Sequence, residues 1–272
     1  MTQIKKRIAI LGFGNIGSSI AKGLIDSKLV KPGDLMITRR NKNLLEEARK
    51  TGFSVSTDNR ETVQNAEIII LTVTPQQTND LLDEIKESIT KDHIIMSIVS
   101  GVSIRKIKEH LGKDPAVVRV MPNTAIAIQE SMTCICAEEK DGHAVELAKK
   151  IFDSVGKTVV ISEDLMGPAT ALCACGTAFF LRAVRAASQG GIEIGFHAAE
   201  SLFMAAQTAK GAASMLLKEG AHPESEIDKV TTPQGITISG LNQMEHHGFS
   251  SSLIRGIVSA AGKAENIYSN DE

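Results

Sequence analysis

The chain has 272 residues, 42% hydrophobic and 23% charged, enough for one or two domains with a real core. Its formal net charge is −2, aromatics make up 3% and tryptophan is absent, so nucleic-acid binding by phosphate neutralisation and base stacking has little to draw on. No apolar run approaches the ~20 residues that span a bilayer, and an apolar strand beginning by residue 7 leaves no room for a signal peptide ahead of it. A cytoplasmic protein without a membrane partner is expected.

Arg7 to Leu11 is a short apolar run that reads as one buried strand. It leads into Gly12-Phe-Gly14-Asn15-Ile16-Gly17, and a helical pattern follows with Ile16, Ile20, Ala21 and Leu24 on one face. Strand, Gly-x-Gly-x-x-Gly and helix in that order form the dinucleotide-binding context. Gly12 allows the tight turn, Gly14 lets the backbone approach a pyrophosphate, and Gly17 lets helix and strand pack closely. The helix N-terminus offers unpaired amides to the anion.

Asp34 to Thr38 reads as a second strand and ends in Arg39-Arg40-Asn41. NAD-selective sites place a carboxylate near this point for the ribose 2′-hydroxyl. Here there are two guanidiniums, which suit a 2′-phosphate. NADPH is expected as cofactor, with NADH possible.

Ala66–Val73, His93–Val99 and Ala116–Met121 read as further buried strands, and 158–161 closes the series. They end at Val73-Thr74-Pro75, Ser100-Gly101 and Pro122-Asn123. Helical segments lie between them at 76–88 and 103–110, the second capped by Ser103. Alternation of this kind predicts an α/β Rossmann-type domain with a parallel-rich sheet over residues 1–162. The strand-end residues should gather around the cofactor.

The four cysteines fall as Cys134-x-Cys136 and Cys173-x-Cys175, tighter than zinc-site spacing. Cys134 and Cys136 sit in a strand-like run, 132–137, and face one side. Buried free thiols are expected, with no metal and no disulfide.

From residue 163 to 272 the chain reads as all-α. Leu165 to Ser188 is a long apolar helix that Gly190-Gly191 breaks. His197 to Glu219 carries alanines and a glycine around much of its circumference. Such a helix should be buried nearly all round. About a hundred residues of helix cannot cover it, so a second subunit is expected to.

These motifs, with Arg119-Val-Met-Pro-Asn-Thr124, Gln207-Thr-Ala-Lys-Gly211, His222-Pro223 and Val230-Thr-Thr-Pro-Gln-Gly-Ile-Thr-Ile238, resemble the pyrroline-5-carboxylate reductase family over essentially the whole chain. The resemblance implies a C-terminal helical domain that binds substrate and interlocks two subunits, with a ring of dimers common in the family. It also implies hydride transfer from NADPH or NADH to the imine of 1-pyrroline-5-carboxylate, giving L-proline, the last step of proline biosynthesis. Substrate contacts are then expected from Gly235, Ile236 and Thr237 and from Cys175 and Gly176, with Thr237 the catalytic candidate. On this reading Thr237 opens a helix from 238 to 247. The preceding amides of Gly235 and Ile236 hold the substrate carboxylate.

Three segments depart from the family pattern. Thr74 stands where the family has lysine. Ala174-Cys175-Gly176-Thr177-Ala178 replaces Gly-Ser-Gly-Pro-Ala. Pro233-Gln234-Gly235-Ile236-Thr237 replaces Pro-Gly-Gly-x-Thr, which should narrow the pocket or alter the loop. Another NADPH-dependent imine or carbonyl reductase stays open, as does a non-catalytic dinucleotide-binding regulator. A β-hydroxyacid dehydrogenase would need a helical-domain lysine, for which Lys210 is the midhelix candidate.

Overall fold

The computed structural model describes residues 3–218 and 220–269. Eight strands form one sheet in the order β3-β2-β1-β4-β5-β6-β7-β8. They are β1 (Ile8–Leu11), β2 (Leu35–Thr38), β3 (Ser54–Ser56), β4 (Ile68–Leu71), β5 (Ile94–Ser97), β6 (Ala116–Met121), β7 (Ser131–Ala137) and β8 (Gly156–Val160). All neighbours are parallel except β6 and β7, which run antiparallel. The connecting helices are α1 (Asn15–Asp26), α2 (Lys42–Lys50), α3 (Asn59–Gln64), α4 (Pro75–Ile85), α5 (Ile104–Leu111) and α6 (Gly142–Phe152).

Strands buried on both faces need apolar residues at every position rather than at alternate ones. Ile8 and Ile10 point into a core roofed by Ile20 and Leu24 of α1 and Ile151 and Phe152 of α6. Ala9 and Leu11 point the other way, onto Leu82 and Ile85 of α4 and Ile107 of α5. The same alternation holds along β4, where Ile68 and Ile70 face one core and Ile69 and Leu71 the other. As expected, Ser103 caps α5: its hydroxyl accepts from the Lys106 amide at 3.2 Å.

The chain forms two compact units, one reaching Ala174 and taking back the chain from Ala261, the other Cys175–Ala260. The first thus runs twelve residues beyond the expected boundary at 162. Glu163 explains this: one of its carboxylate oxygens accepts from the buried Arg119 of β6 and from the Ile104 amide of α5, each at 2.9 Å. Met166 is buried in the core on the α4–α5 side. Residues 163–166 are therefore fastened to the sheet unit.

The expected single helix from Leu165 to Ser188 is composite. A short α7 (Met166–Ala169) passes into a π-helical stretch (Thr170–Cys175) and then α8 (Gly176–Glu193). The helical run Glu163–Glu193 is long and apolar enough, by length and composition, to cross a membrane, so the expectation that no stretch reaches that size is corrected. Gly190 and Gly191 do not break it either. α8 continues to Glu193, and the turn is made by Gly195 at φ +111°. Gly191 instead lets α9 (Ala198–Leu216) come close, since a Cβ there would lie 2.1 Å from the Ser201 hydroxyl. That hydroxyl donates to the Ser188 carbonyl at 2.7 Å.

The second unit is completed by α10 (Pro223–Asp228), α11 (Ile236–His246) and most of α12 (Phe249–Ser269). The expected end of α9, Glu219, lies outside the described residues. Of α9 only Ser201 is buried in the single chain, while Phe203 is 71% exposed. Phe180, Val184, Phe196, Met204 and Met244 line a groove of about 720 Å³ in this unit. Phe180 and Leu181 of α8 and Leu202 and Phe203 of α9 are each more than half exposed, and apolar side chains grouped in the open in this way mark an interaction site.

Candidate active site

The turn between β1 and α1 is shaped by contacts that exclude side chains. Gly12 has φ +104°, and a Cβ there would lie 3.0 Å from the Thr72 carbonyl. The Thr72 hydroxyl donates to the Gly12 carbonyl and locks the turn against the end of β4. A Cβ on Gly17 would lie 2.6 Å from the Gly12 oxygen. Gly14 caps α1 and is different: a Cβ there meets nothing within 4 Å. The space over Gly14 is open ground in front of the first-turn amides of Asn15, Ile16 and Gly17, where an anion is stabilised.

That space belongs to a cavity of about 450 Å³ at the carboxyl ends of β1, β2 and β4. The sheet order reverses between β1 and β4, and ligands of open α/β sheets bind at such a switch point. Gly12, Gly14, Arg39, Arg40, Val73 and Thr74 line it together. No carboxylate is among the lining residues. The half-buried Arg39 donates from Nη1 to the Phe13 carbonyl, so its guanidinium braces the glycine turn. Arg40 is exposed at the rim. Asn41 caps α2, its side-chain oxygen accepting from the Asn43 amide at 3.0 Å.

Other expected cofactor residues stand elsewhere. Ser100 and Gly101 line a separate hollow of about 930 Å³ with Pro75, Gln76, Lys106 and His110, between α4 and α5. Pro122 is buried, and Asn123 is committed to local structure. Its side-chain oxygen accepts from the Ala125 amide at 3.1 Å, and its side-chain nitrogen donates to the Cys173 carbonyl at 3.2 Å. The expected single gathering of strand ends is thus divided, because α4 begins at Pro75 and stands between the two hollows.

The cavity also uses residues that the sequence left unassigned. Thr57 enters from the loop after β3 and Asn59 from the start of α3, following a strand of three residues with too little hydrophobic pattern to register. Phe13 and Thr72 enter as neighbours of recognised motif residues.

In the second unit α11 begins at Ile236, two residues earlier than expected, with Gly235 as its N-cap and Thr237 at its second position. The Gly235 amide donates to the Thr232 carbonyl at 2.9 Å and so cannot serve a ligand as expected. The amides without an intrahelical acceptor are those of Ile236, Thr237 and Ile238. The turn is held by Gln234 in the left-handed region, φ +59°. Ile236 projects outward, 94% exposed in the single chain, and Thr237 is exposed. Cys175 closes the π-helical stretch and Gly176, buried, opens α8.

Cys134 and Cys136 are buried on the face of β7 that meets the α4–α5 core. Burial pushes the Cys136 thiol up to about 12. The Cys134 sulfur lies 3.8 Å from that of Cys173. Among the described residues, no three His, Cys, Asp or Glu side chains converge on a point that could hold a metal.

Comparison with known proteins places this arrangement. Pyrroline-5-carboxylate reductase 2 of Dictyostelium discoideum is 49% identical over 275 residues, covering 95% of this chain and 92% of that one. The chain belongs to the pyrroline-5-carboxylate reductase family. Pyrroline-5-carboxylate reductase 1 of the same organism is 52% identical over 97% of this chain, which spans half of that protein's length. The dimerisation region of the family matches residues 163–267, and the family described as coenzyme F420-dependent NADP oxidoreductase matches residues 7–101. The crystal structure of Plasmodium falciparum pyrroline carboxylate reductase with NADP bound has a TM-score of 0.86 at 25% identity, covering 98% of this chain and 99% of that one.

Proposed function

We propose that this protein reduces 1-pyrroline-5-carboxylate to L-proline with NADPH. The observation that carries the reading is the cavity at the β1–β4 switch point, with its open ground over Gly14, two arginines and no carboxylate, in a chain of the reductase family. The residues present fit an NADP-type cofactor. The amides of Asn15, Ile16 and Gly17 hold the pyrophosphate, and Arg40 takes the 2′-phosphate while Arg39 supports the turn. When bound, the cofactor supplies the hydride.

The protein's part is to bind and orient a cyclic imine that is already electrophilic when protonated. The amides of Ile236, Thr237 and Ile238, at the positive end of α11, receive the substrate carboxylate. The Thr237 hydroxyl bonds to the ring nitrogen or the carboxylate. Cys175 and Gly176 border the substrate. The chain self-associates through its exposed helical faces as a homodimer, with further assembly into a ring of dimers, and acts in the cytoplasm.

The test is L-proline formation from 1-pyrroline-5-carboxylate and NADPH, by the wild type and by Thr237→Val. Valine keeps the shape and removes the hydroxyl. An orphaned buried partner costs about 1–3 kcal/mol, so kcat and kcat/KM should fall together by roughly five- to a hundred-fold, with NADPH affinity unchanged. Wild-type kinetics in the variant would leave the amides alone to orient the substrate. NADPH binding without proline formation would instead favour a dinucleotide-binding regulator.

A further inference from the structure

The thiols of Cys134 and Cys173 form a pair that the proposed reaction does not use. Cys134 is the central residue of β7, 2% exposed, and Cys173 is half-buried in the π-helical stretch 170–175. Their sulfurs are 3.8 Å apart, in the core that β7 shares with α4 and α5. A disulfide needs about 2.05 Å between sulfurs, so an approach of under ~2 Å closes the bond. One partner sits in a π-helical segment, whose widened turn is an irregularity that helices use at functional sites. The Cys173 carbonyl is also held by the Asn123 side chain at 3.2 Å, which keeps the turn in register with the sheet.

The two thiols share their protons unequally. The Cys134 hydrogen bond to the Cys173 sulfur lowers the Cys173 thiol to about 7, while the same contact and burial push the Cys134 thiol up. The first proton therefore leaves from Cys173, the more accessible of the two. A thiolate of this kind is nucleophilic near neutrality.

We propose that Cys134 and Cys173 are a reversible modification site at which a hydroperoxide forms a disulfide that fastens the 170–175 turn to β7 and slows the enzyme. The Cys173 thiolate attacks the outer peroxide oxygen. The O–O bond breaks, an alcohol or water leaves with a solvent proton, and Cys173 becomes a sulfenic acid. The Cys134 sulfur then attacks that sulfur, the S–O bond breaks and water leaves with the Cys134 proton. The two thiols lose two electrons and the peroxide bond takes them. The turn runs directly into Cys175 and Gly176, so its immobilisation bears on substrate binding. That consequence rests on the proposed reductase function, whereas the cross-link does not.

The test treats the reduced full-length protein with hydrogen peroxide, unfolds it in denaturant with N-ethylmaleimide to block remaining thiols and maps the peptides. The expected result is a Cys134–Cys173 cross-linked peptide and the loss of two of the four alkylatable thiols. Both should be reversed by dithiothreitol and be absent from Cys173→Ser. Proline formation should fall in step with the cross-link and recover with it. Cys173 recovered as sulfinic acid without a cross-link, or a cross-link through Cys136 or Cys175, would overturn the assignment. Full turnover by the cross-linked protein would overturn its effect on the enzyme. The peptide map decides the modification even for protein that forms no proline, so failure of the reductase reading is distinguishable.

Discussion

Arg39 and Arg40 are adjacent in sequence and differ in what they do. Arg39 is anchored to the Phe13 carbonyl, while Arg40 stands exposed at the cavity rim. Arg40→Ala should therefore weaken NADPH selectively. A charge-assisted bond contributes about 1.5–3 kcal/mol, so the loss is roughly ten- to a hundred-fold, with NADH little changed. Arg39→Ala should weaken both cofactors, because the glycine turn loses its brace. Fluorescence titration of each variant with each cofactor checks this, and equal losses in Arg40→Ala would remove the 2′-phosphate assignment. Gln234 is the other telling residue. It occupies the left-handed region where the family motif has glycine, so the departure noted in the sequence keeps the turn and strains it. Left-handed backbone costs a non-glycine residue about 1–2 kcal/mol, partly offset in glycine by its greater chain entropy. Gln234→Gly should raise the thermal midpoint by roughly 1–3 °C at fixed protein concentration. A lower midpoint would show that the glutamine side chain stabilises the assembled protein.

At the scale of elements, the sequence was legible where pattern and length were both strong. The β1–glycine–α1 unit, β6 and the Ser103 cap stand close to where the residues predict them, because each has a local signal that tertiary contacts do not override. β3 has three residues and too weak a pattern to read, and with it goes the β3–α3 connection that brings Thr57 and Asn59 to the cavity. Gly190-Gly191 was misread because glycine marks a break by propensity, whereas here Gly191 serves a helix crossing. That crossing is testable. Gly191→Ala should displace the Ser201 hydroxyl from the Ser188 carbonyl and overfill the contact between α8 and α9. The cost is about 1–3 kcal/mol, read as a lower denaturation midpoint. Unchanged stability would mean that α8 and α9 separate readily at this point.

At the scale of the whole molecule, the small-residue helix α9 was legible as a surface needing cover, but a single chain cannot show what covers it. The exposed side chains of α8 and α9 belong to the region matched by the family's dimerisation domain. Sedimentation at low micromolar concentration should show no species near 29.1 kDa. A fully active monomer would contradict the proposed dimer. The most direct measurement of the hydride transfer uses NADPH deuterated at the transferable C4 position with unlabelled 1-pyrroline-5-carboxylate and examines the product by mass spectrometry and NMR. L-Proline should carry one deuterium on the ring carbon that was the imine carbon. Proline without the label, or labelled cofactor left unconsumed beside intact substrate, would contradict it.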